Sequence, residues 1–249
     1  MNNTEHPDIW AIIPAAGIGS RMNSDTPKQY LPLNGKTVLE TTVEKLLSVG
    51  RVSGVVLALN PQDTYFSDTP LAKNPKVYIV EGGSERSESV LNALNYCQLE
   101  LAVHDRNAWA LVHDAARPCV TLEKIESLID YCLDELPNDN SSKKISGAIL
   151  AVPASDTVKR VDDCRTISNT EDRNGLWMAH TPQLFPLQVL QIAINKCFSN
   201  SVSITDEASA IEALGRIAKV VHDRRDNIKI TMPEDLAWAE IILKNQEAC

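Results

Sequence analysis

The chain has 249 residues, of which 43% are hydrophobic and 23% charged, and its formal net charge is −9. This composition is that of a folded globular protein and excludes an intrinsically disordered chain. The acidic balance argues against a general affinity for nucleic acid or an anionic membrane, and the apolar runs are too short to span a bilayer.

The N-terminal segment, Met1 to Asp8, is polar and slightly acidic. It therefore lacks the basic start of a signal peptide. The six cysteines contain no CxxC pair, and several lie in apolar helical patterns, which indicates reduced thiols. We expect a cytoplasmic protein that binds neither a membrane nor nucleic acid.

Five short apolar runs predict the strands of a sheet: Ile9–Ile13, Val55–Leu59, Val77–Val80, Ala108–Val112 and Ala148–Val152. The runs are continuous rather than alternating, as is typical of strands covered by helices on both faces. Between them, residues 38–47, 90–97 and 122–132 carry apolar side chains at helical spacing. This alternation predicts a single α/β domain over residues 1–249, with a mostly parallel, doubly wound sheet.

Ligands of such sheets bind beyond the carboxyl ends of the strands. Polar motifs follow three of the predicted strands: Gly17 to Arg21 after the first, Gly82-Gly83-Ser84 after the third and His113-Asp114 after the fourth. We therefore expect these three motifs to meet at one edge of the sheet.

The first of these loops matches neither standard nucleotide-binding motif. The dinucleotide fingerprint GxGxxG needs a glycine where the chain has Met22, which disfavours a Rossmann dehydrogenase. Gly35-Lys36-Thr37 is similar to the end of a Walker A motif, but the upstream glycine that this motif requires is replaced by Tyr30. The loop thus needs another explanation.

Small residues and two nearby cations still make the first loop a candidate phosphate site. Small residues let backbone N–H groups approach phosphate oxygens, and Arg21 and Lys28 can neutralise the charge of a triphosphate. The alternative is a glycine-rich turn with two solvated cations. The loop by itself does not distinguish the two.

The segment from Gly82 to Ser89 follows a strand and opens an amphipathic helix. The helix N-terminus can hold a phosphate or the edge of a base, with Ser89 as a polar contact. The alternative is a tight strand-to-helix turn in which Ser84 is the N-cap.

Asp114 lies at the end of a predicted buried strand and is a candidate Mg²⁺ ligand, because Mg²⁺ takes few protein ligands and keeps its waters and substrate phosphates. The alternative is that Asp114 caps the turn. His113 is more typical of a hydrogen-bonded core histidine than of a ligand. Arg117 can either pair with Asp114 or bind an anionic substrate, and we take it as a candidate substrate contact.

Residues 153–182 interrupt the strand–helix alternation with a polar stretch that contains scattered apolar residues. These residues favour an ordered arm that packs against something, such as a second subunit. Helices are then expected at 187–197 and 206–214, short strands near 217–221 and 228–230, and a final helix from Pro233. Asp226 is either a polar strand start or a second metal ligand, and Lys229 is either exposed or an anion clamp.

Several longer strings carry a family resemblance. They are AAGIGSRM with PKQYLPL, EGGSERSESVLNAL, VHDAARPC, VPASDTVKR, DRNGLW with TPQLF, ITDEASAIEALG and DNIKITMPEDLAWAE. In this order and spacing, over about residues 9 to 240, the chain strongly resembles the methylerythritol phosphate cytidylyltransferases of non-mevalonate isoprenoid synthesis. The resemblance implies transfer of CMP from CTP to 2-C-methyl-D-erythritol 4-phosphate, with release of pyrophosphate and with Mg²⁺ or another divalent cation as cofactor.

The resemblance also implies roles for single residues. Arg21 and Lys28 match the positions that stabilise the transition state, and Arg173 and Lys229 those that orient the nucleophilic phosphate. The implied nucleotide contacts are Ala15, Ala16, Gly17, Gly19, Gly83, Ser84, Ser89, Asp114 and Ala115. The further implied contacts of the sugar phosphate are Thr157, Thr181 and Asp226. Asp114 matches the aspartate associated with Mg²⁺, and Asp226 remains the candidate second ligand.

The segment at 153–182 resembles the family's projecting β-arm, which implies a homodimer in which each arm completes the neighbouring site. Two alternatives stay open. A ribitol (pentitol) 5-phosphate cytidylyltransferase shares the fold and most of the phosphate clamp. A nucleotide-binding module without catalysis is the other, although it need not keep Arg21, Lys28, Asp114, Arg173 and Lys229 together.

Overall fold

The computed structural model describes residues 7–17, 26–101, 103, 107–136 and 144–247. Its main strands are β1 (Ile9–Ala15), β4 (Val52–Leu59), β5 (Val77–Glu81), β6 (Trp109–Val112), β7 (Ile145–Pro153), β10 (Trp177–Pro186) and β11 (Ile217–His222). Together they form one seven-stranded sheet in the order β11-β7-β10-β6-β1-β4-β5. Two short antiparallel ladders join β2 (Pro32–Leu33) to β3 (Lys36–Thr37) and β8 (Lys159–Val161) to β9 (Ile167–Thr170).

The direction of the strands confirms the predicted fold class. Strand β10 runs antiparallel to its neighbours β6 and β7, whereas the other pairings within this sheet are parallel. All five predicted strands and β11 are present. Strand β10 was not predicted, because the polar sequence before it obscured its pattern. The strand predicted at 228–230 is wrong, because Ile230 N–H bonds to the Ala116 carbonyl over 2.8 Å but the segment joins no ladder.

Six α-helices connect the described strands. They are α1 (Val38–Leu47), α2 (Arg86–Leu99), α3 (Leu122–Asp130), α4 (Leu187–Ser199), α5 (Glu207–Ala213) and α6 (Pro233–Glu247). Side chains fix several of the helix starts: Thr37 and Glu40 form a capping box on α1, and Asp206 and Ser209 form one on α5. Within the described residues, no helix is both long and apolar enough to cross a membrane.

The core lies on both faces of the sheet because successive strand residues point to opposite sides. Ile9, Ala11 and Ile13 pack with α1 and α3, and Trp10 and Ile12 pack with α2, α4 and α5. Each fully buried large apolar side chain contributes about 1.5–3 kcal/mol. This covering on both faces explains why the predicted strands read as continuous apolar runs.

We call residues 153–182 the arm. It contains the β8–β9 ladder and the start of β10, and every residue of that ladder is exposed. Large apolar side chains of the arm are exposed as well, namely Val161, Ile167, Leu176, Trp177 and Met178. The arm therefore adds little to the core of its own chain.

Candidate active site

The carboxyl ends of β1, β5 and β6 meet around one cavity of about 210 Å³, which we call the strand-end pocket. Its lining residues are Pro14, Ala15, Ala16, Gly17, Lys28, Gln29, Gly83, Ser84, Glu85, Arg86, Ser89, Asp114, Ala115, Ala116 and Lys229. In the described part of the chain, the three polar motifs meet at this edge of the sheet as expected, through Gly17, Gly83, Ser84 and Asp114, whereas residues 18–21 of the first motif lie outside the described residues. A larger cavity of about 980 Å³ is lined mainly by residues of α1, α6 and the start of α3, and it shares no residue with the strand-end pocket.

Side chains from other loops hold the first loop at the end of β1. Gln29 Nε2 donates to the Ala15 carbonyl over 2.9 Å, and Asn60 Nδ2 donates to the Ala16 carbonyl over 3.4 Å. Gly82 allows a close approach, since a Cβ there would lie 2.3 Å from the Cβ of Ala16. Gly19 and Arg21, two of the predicted site residues, lie outside the described residues.

The second turn, between β5 and α2, is organised by its own side chains. Ser89 is buried, and its hydroxyl accepts from Gly83 N–H over 3.0 Å and donates to the Glu85 carbonyl over 3.1 Å. Ser84 N–H and hydroxyl both donate to Glu88 Oε2, over 2.7 and 2.9 Å. The alternative that Ser84 is the N-cap is wrong, because Glu85 occupies that position.

Asp114 is the most heavily paired acid of the strand-end pocket. Its Oδ1 accepts from Arg86 Nε over 2.9 Å, and its Oδ2 lies 2.7 Å from Lys229 Nζ and 3.8 Å from Arg117 Nε. Burial by itself would raise the pKa of Asp114, but the charges of Arg86 and Lys229 reverse this and hold that pKa well below its usual range. The carboxylate is therefore ionised at neutral pH.

A directed chain of hydrogen bonds fixes the backbone at Asp114. His113 is fully buried, and burial lowers its pKa to about 4, so the ring is neutral. Its Nε2 lies 3.0 Å from the Arg117 carbonyl, which can only accept, so Nε2 carries the proton and Nδ1 accepts from the Thr181 hydroxyl over 3.0 Å. The Thr181 oxygen in turn accepts from Asp114 N–H over 3.0 Å.

The segment 227–230 carries Lys229 to the pocket. It is anchored to the turn after β6, because Arg117 Nη1 donates to the Asn227 carbonyl over 2.7 Å and Ile230 N–H to the Ala116 carbonyl over 2.8 Å. Lys28 reaches the same segment, since its Nζ donates to the Ile230 carbonyl over 3.2 Å. Two cations from distant parts of the sequence thus line one pocket.

Arg117 and Thr181, the predicted substrate contacts, lie behind the strand-end pocket rather than on its wall. Both side chains are buried and bonded to protein groups, Arg117 to Asn227 and Thr181 to His113 and Asp114. In this structure they support Asp114 and Lys229. Direct contact with the substrate stays a prediction for both.

Three other predicted residues do not line the strand-end pocket. Thr157 and Arg173 are exposed on the arm, where Arg173 Nη1 donates to the Ser155 carbonyl. Asp226 pairs with Arg224 over 2.7 Å and lines the larger cavity. The structure therefore does not bring Asp226 together with Asp114 as the two expected ligands of one metal ion.

Two functional candidates were missed from the sequence, Arg86 and Glu207. Arg86 lines the pocket, and its guanidinium pairs with both Asp114 and Glu207. A usable signal was present, since a cation in the first turn of a helix opposes the helix dipole and needs an acid partner. Sequence pattern alone could not indicate that this partner is 121 residues away.

Comparison with known proteins points to one family. The family model described as IspD: 2-C-methyl-D-erythritol 4-phosphate cytidylyltransferase matches residues 9–245. Proteins of that name from Vibrio vulnificus and Haemophilus influenzae are 46% and 48% identical to the chain, over 96% and 94% of it and 96% of each relative. A crystal structure of the Francisella tularensis protein of that name superposes with a TM-score of 0.76 at 38% identity, covering 94% of this chain and 99% of that one.

Proposed function

The chain belongs to the 2-C-methyl-D-erythritol 4-phosphate cytidylyltransferase family, and from this premise we propose that the strand-end pocket is its active site. The reaction joins CTP and 2-C-methyl-D-erythritol 4-phosphate into 4-diphosphocytidyl-2-C-methyl-D-erythritol and pyrophosphate. The observation that carries the proposal is the arrangement at the strand ends. Small residues 15–17, the cations Lys28 and Lys229, and the ionised Asp114 all line one pocket.

The chemistry needs positioning and charge stabilisation rather than a covalent enzyme intermediate. A phosphate oxygen of the sugar phosphate attacks the α-phosphorus of CTP, a new P–O bond forms, and the bond to the β-phosphate breaks to release pyrophosphate. We assign the backbone at Ala15–Gly17 to the triphosphate, Lys28 to the charge that develops in the transition state and Lys229 to the attacking phosphate. The turn at Gly83, Ser84 and Ser89 is assigned to the base and ribose.

Mg²⁺ is proposed as the cofactor, with Asp114 as its protein ligand. An ionised carboxylate on the wall of the pocket is the kind of donor that Mg²⁺ prefers. When bound, the ion would neutralise charge on the triphosphate. The side chains of Arg86 and Lys229 keep Asp114 ionised and oriented before any substrate arrives.

A homodimer through the arm completes the proposal. Arg173 and Thr157, which the family pattern assigns to the sugar phosphate, are exposed on the arm rather than in the pocket of their own subunit. The exposed apolar side chains of the arm supply the surface that a second copy would cover. We infer that each arm serves the pocket of its partner.

The function is tested by following pyrophosphate release from CTP with each sugar phosphate in turn. We expect turnover with 2-C-methyl-D-erythritol 4-phosphate and little with ribitol 5-phosphate, in the presence of Mg²⁺. Turnover with ribitol 5-phosphate alone would contradict the proposed acceptor. Binding of CTP without turnover on either acceptor would instead favour a non-catalytic nucleotide-binding module.

A further inference from the structure

A buried row of three charged side chains leads from helix α5 to the strand-end pocket. Arg86 Nη1 and Nη2 donate to the two carboxylate oxygens of Glu207 over 2.6 and 3.1 Å, and Arg86 Nε donates to Asp114 Oδ1 over 2.9 Å. Glu207 is 1% exposed and does not line the pocket. We call Glu207, Arg86 and Asp114 the pocket triad.

The geometry of the pocket triad sets the orientation of its middle member. A two-bonded carboxylate fixes the plane of a guanidinium, so Glu207 determines where Arg86 Nε points. All three nitrogens of that guanidinium donate to acids. Burial by itself would lower the pKa of Arg86, but the charges of Glu207 and Asp114 raise it above its usual value, so the side chain stays charged.

The orientation of Arg86 affects the strand-end pocket through Asp114, which lines it. With Oδ1 held by Arg86, the carboxylate cannot rotate freely, and its Oδ2 remains 2.7 Å from Lys229 Nζ. We propose that Glu207 is a positioning residue for CMP transfer, which acts by holding Arg86 so that Arg86 fixes the orientation of Asp114. This inference rests on the proposed function of the strand-end pocket.

The competing explanation is that the pair only joins α2 to α5. The chain offers a control of the same connectivity at the surface, because Arg51 also lies between two acids: its Nε donates to Glu126 over 3.0 Å, and its Nη1 lies 2.8 Å from Asp130. None of these three residues lines the strand-end pocket. If the role of Glu207 is merely structural, substitution of Glu207 or of Glu126 should affect stability, and neither should affect turnover.

The test compares Glu207→Gln with Glu126→Gln by steady-state pyrophosphate release. Glu207→Gln should lower kcat about tenfold or more, which is the typical cost of losing a side chain that orients a metal-ligating residue. Its KM for CTP should change much less, and Glu126→Gln should keep the wild-type kcat. Melting curves give the folded fraction of each variant. A kcat for Glu207→Gln that equals wild type per folded molecule would overturn the inference.

A double-mutant cycle separates action through Asp114 from an independent effect. Single-turnover rates of Asp114→Asn and of Asp114→Asn/Glu207→Gln should be equal, whereas two losses that multiply would contradict the proposed path. If Glu207→Gln does not fold, Glu207→Asp replaces it, because it keeps the charge but withdraws the carboxylate by one methylene. If the wild-type chain does not transfer CMP, the proposed function itself is disproved. If the wild type is active and the variants are unaffected, only the inference about Glu207 is disproved.

Discussion

Charged side chains are buried and closely paired in the strand-end pocket but exposed to solvent on the arm. In the pocket, Asp114 is 7% exposed and is paired with Arg86 and Lys229 on its two oxygens. On the arm, Arg160 pairs with Glu171 at the surface, where solvent and salt screen the interaction between their charges. The pocket is thus pre-organised by its own chain, while the arm has exposed side chains that a partner could organise.

This contrast predicts that pocket residues and arm residues differ in which subunit's active site they affect. Substitutions in the pocket should impair the site of the same subunit, because the pocket side chains are already positioned within one chain. Substitutions on the arm should impair a site in the other subunit, if the proposed dimer is right.

Lys28→Ala should lower turnover by about a hundredfold or more, the typical cost of removing a charge that stabilises a transition state. Lys28 lines the pocket, so the effect should appear in kcat measured by pyrophosphate release at saturating substrates. Lys36→Ala is the control, since Lys36 pairs with Glu44 at the surface and does not line this pocket. Unchanged turnover in Lys28→Ala would remove this residue from the mechanism.

Arg173→Ala should lower turnover at subsaturating sugar phosphate by on the order of tenfold to a hundredfold, because a charge that orients the nucleophile is lost. The apparent affinity for CTP should change little. A loss confined to CTP affinity would contradict the role assigned to Arg173.

Mixing two kinds of impaired subunit then tests where the arm acts. In a mixed dimer of Lys28→Ala and Arg173→Ala subunits, an arm that crosses to its partner leaves one site with both residues intact. Half of the dimers are mixed and each has one intact site of two, so about a quarter of wild-type activity should return. If each arm serves its own subunit, mixing restores nothing.

Much of the fold could be predicted from the sequence because the signals are local. The continuous apolar runs of β1, β4 and β6 report directly that both sheet faces are covered. Strand β10 was missed because its first residues, Trp177–Ala179, pair with β7 but are exposed in the arm, and the strand is buried only from Thr181 onward. Its apolar pattern is therefore split between two environments.

The candidate site was less predictable, because its geometry depends on distant partners. That Asp114 lies at a strand end follows from the order of apolar and polar residues. Pairing with Arg117 was one of the alternatives because that residue is only three positions away, but the approach of Arg86 and Lys229 could not be predicted, since they come from separate segments. The separation of Asp226 from Asp114 likewise depends on how the 223–230 segment turns.

Gly82→Ala and Gly17→Ala should separate fit within the protein from fit to the nucleotide. A Cβ at Gly82 would meet the Cβ of Ala16 at 2.3 Å, so the first loop must move, and a loss of CTP affinity on the order of tenfold is expected. Among the described residues, no atom lies within 4 Å of a Cβ at Gly17, so we expect folding to be unaffected. Any loss of CTP affinity in Gly17→Ala would then come from contact between the added methyl group and the nucleotide.

Calorimetric titration with CTP and Mg²⁺, combined with melting curves, measures both effects. Gly50→Ala is the control, because its Cβ would also meet no described atom within 4 Å and Gly50 does not line the pocket. Unchanged CTP affinity in both Gly17→Ala and Gly82→Ala would argue that this loop does not hold the triphosphate.

The smallest expected effect is a pH dependence of stability caused by His113. The folded chain lowers the pKa of His113 from its ordinary 6.5 to about 4, chiefly by burial, so the unfolded chain binds a proton in this range that the folded chain does not. Its contribution is complete above pH 6.5 and is lost as the pH falls to about 4. Urea unfolding should show a decrease of about 1–3 kcal/mol over this window.

The variants that test this effect also bear on the contrast between the pocket and the arm. His113→Gln should flatten the pH dependence, whereas exposed His222, which touches Trp177 of the arm, should not matter when changed to Gln. Asp114 does not contribute in this window, because a carboxyl with a lowered pKa loses its stabilisation only below its ordinary 3.8. An equal slope in His113→Gln and wild type would show that the neutral ring beside Thr181 is not what links folding to pH.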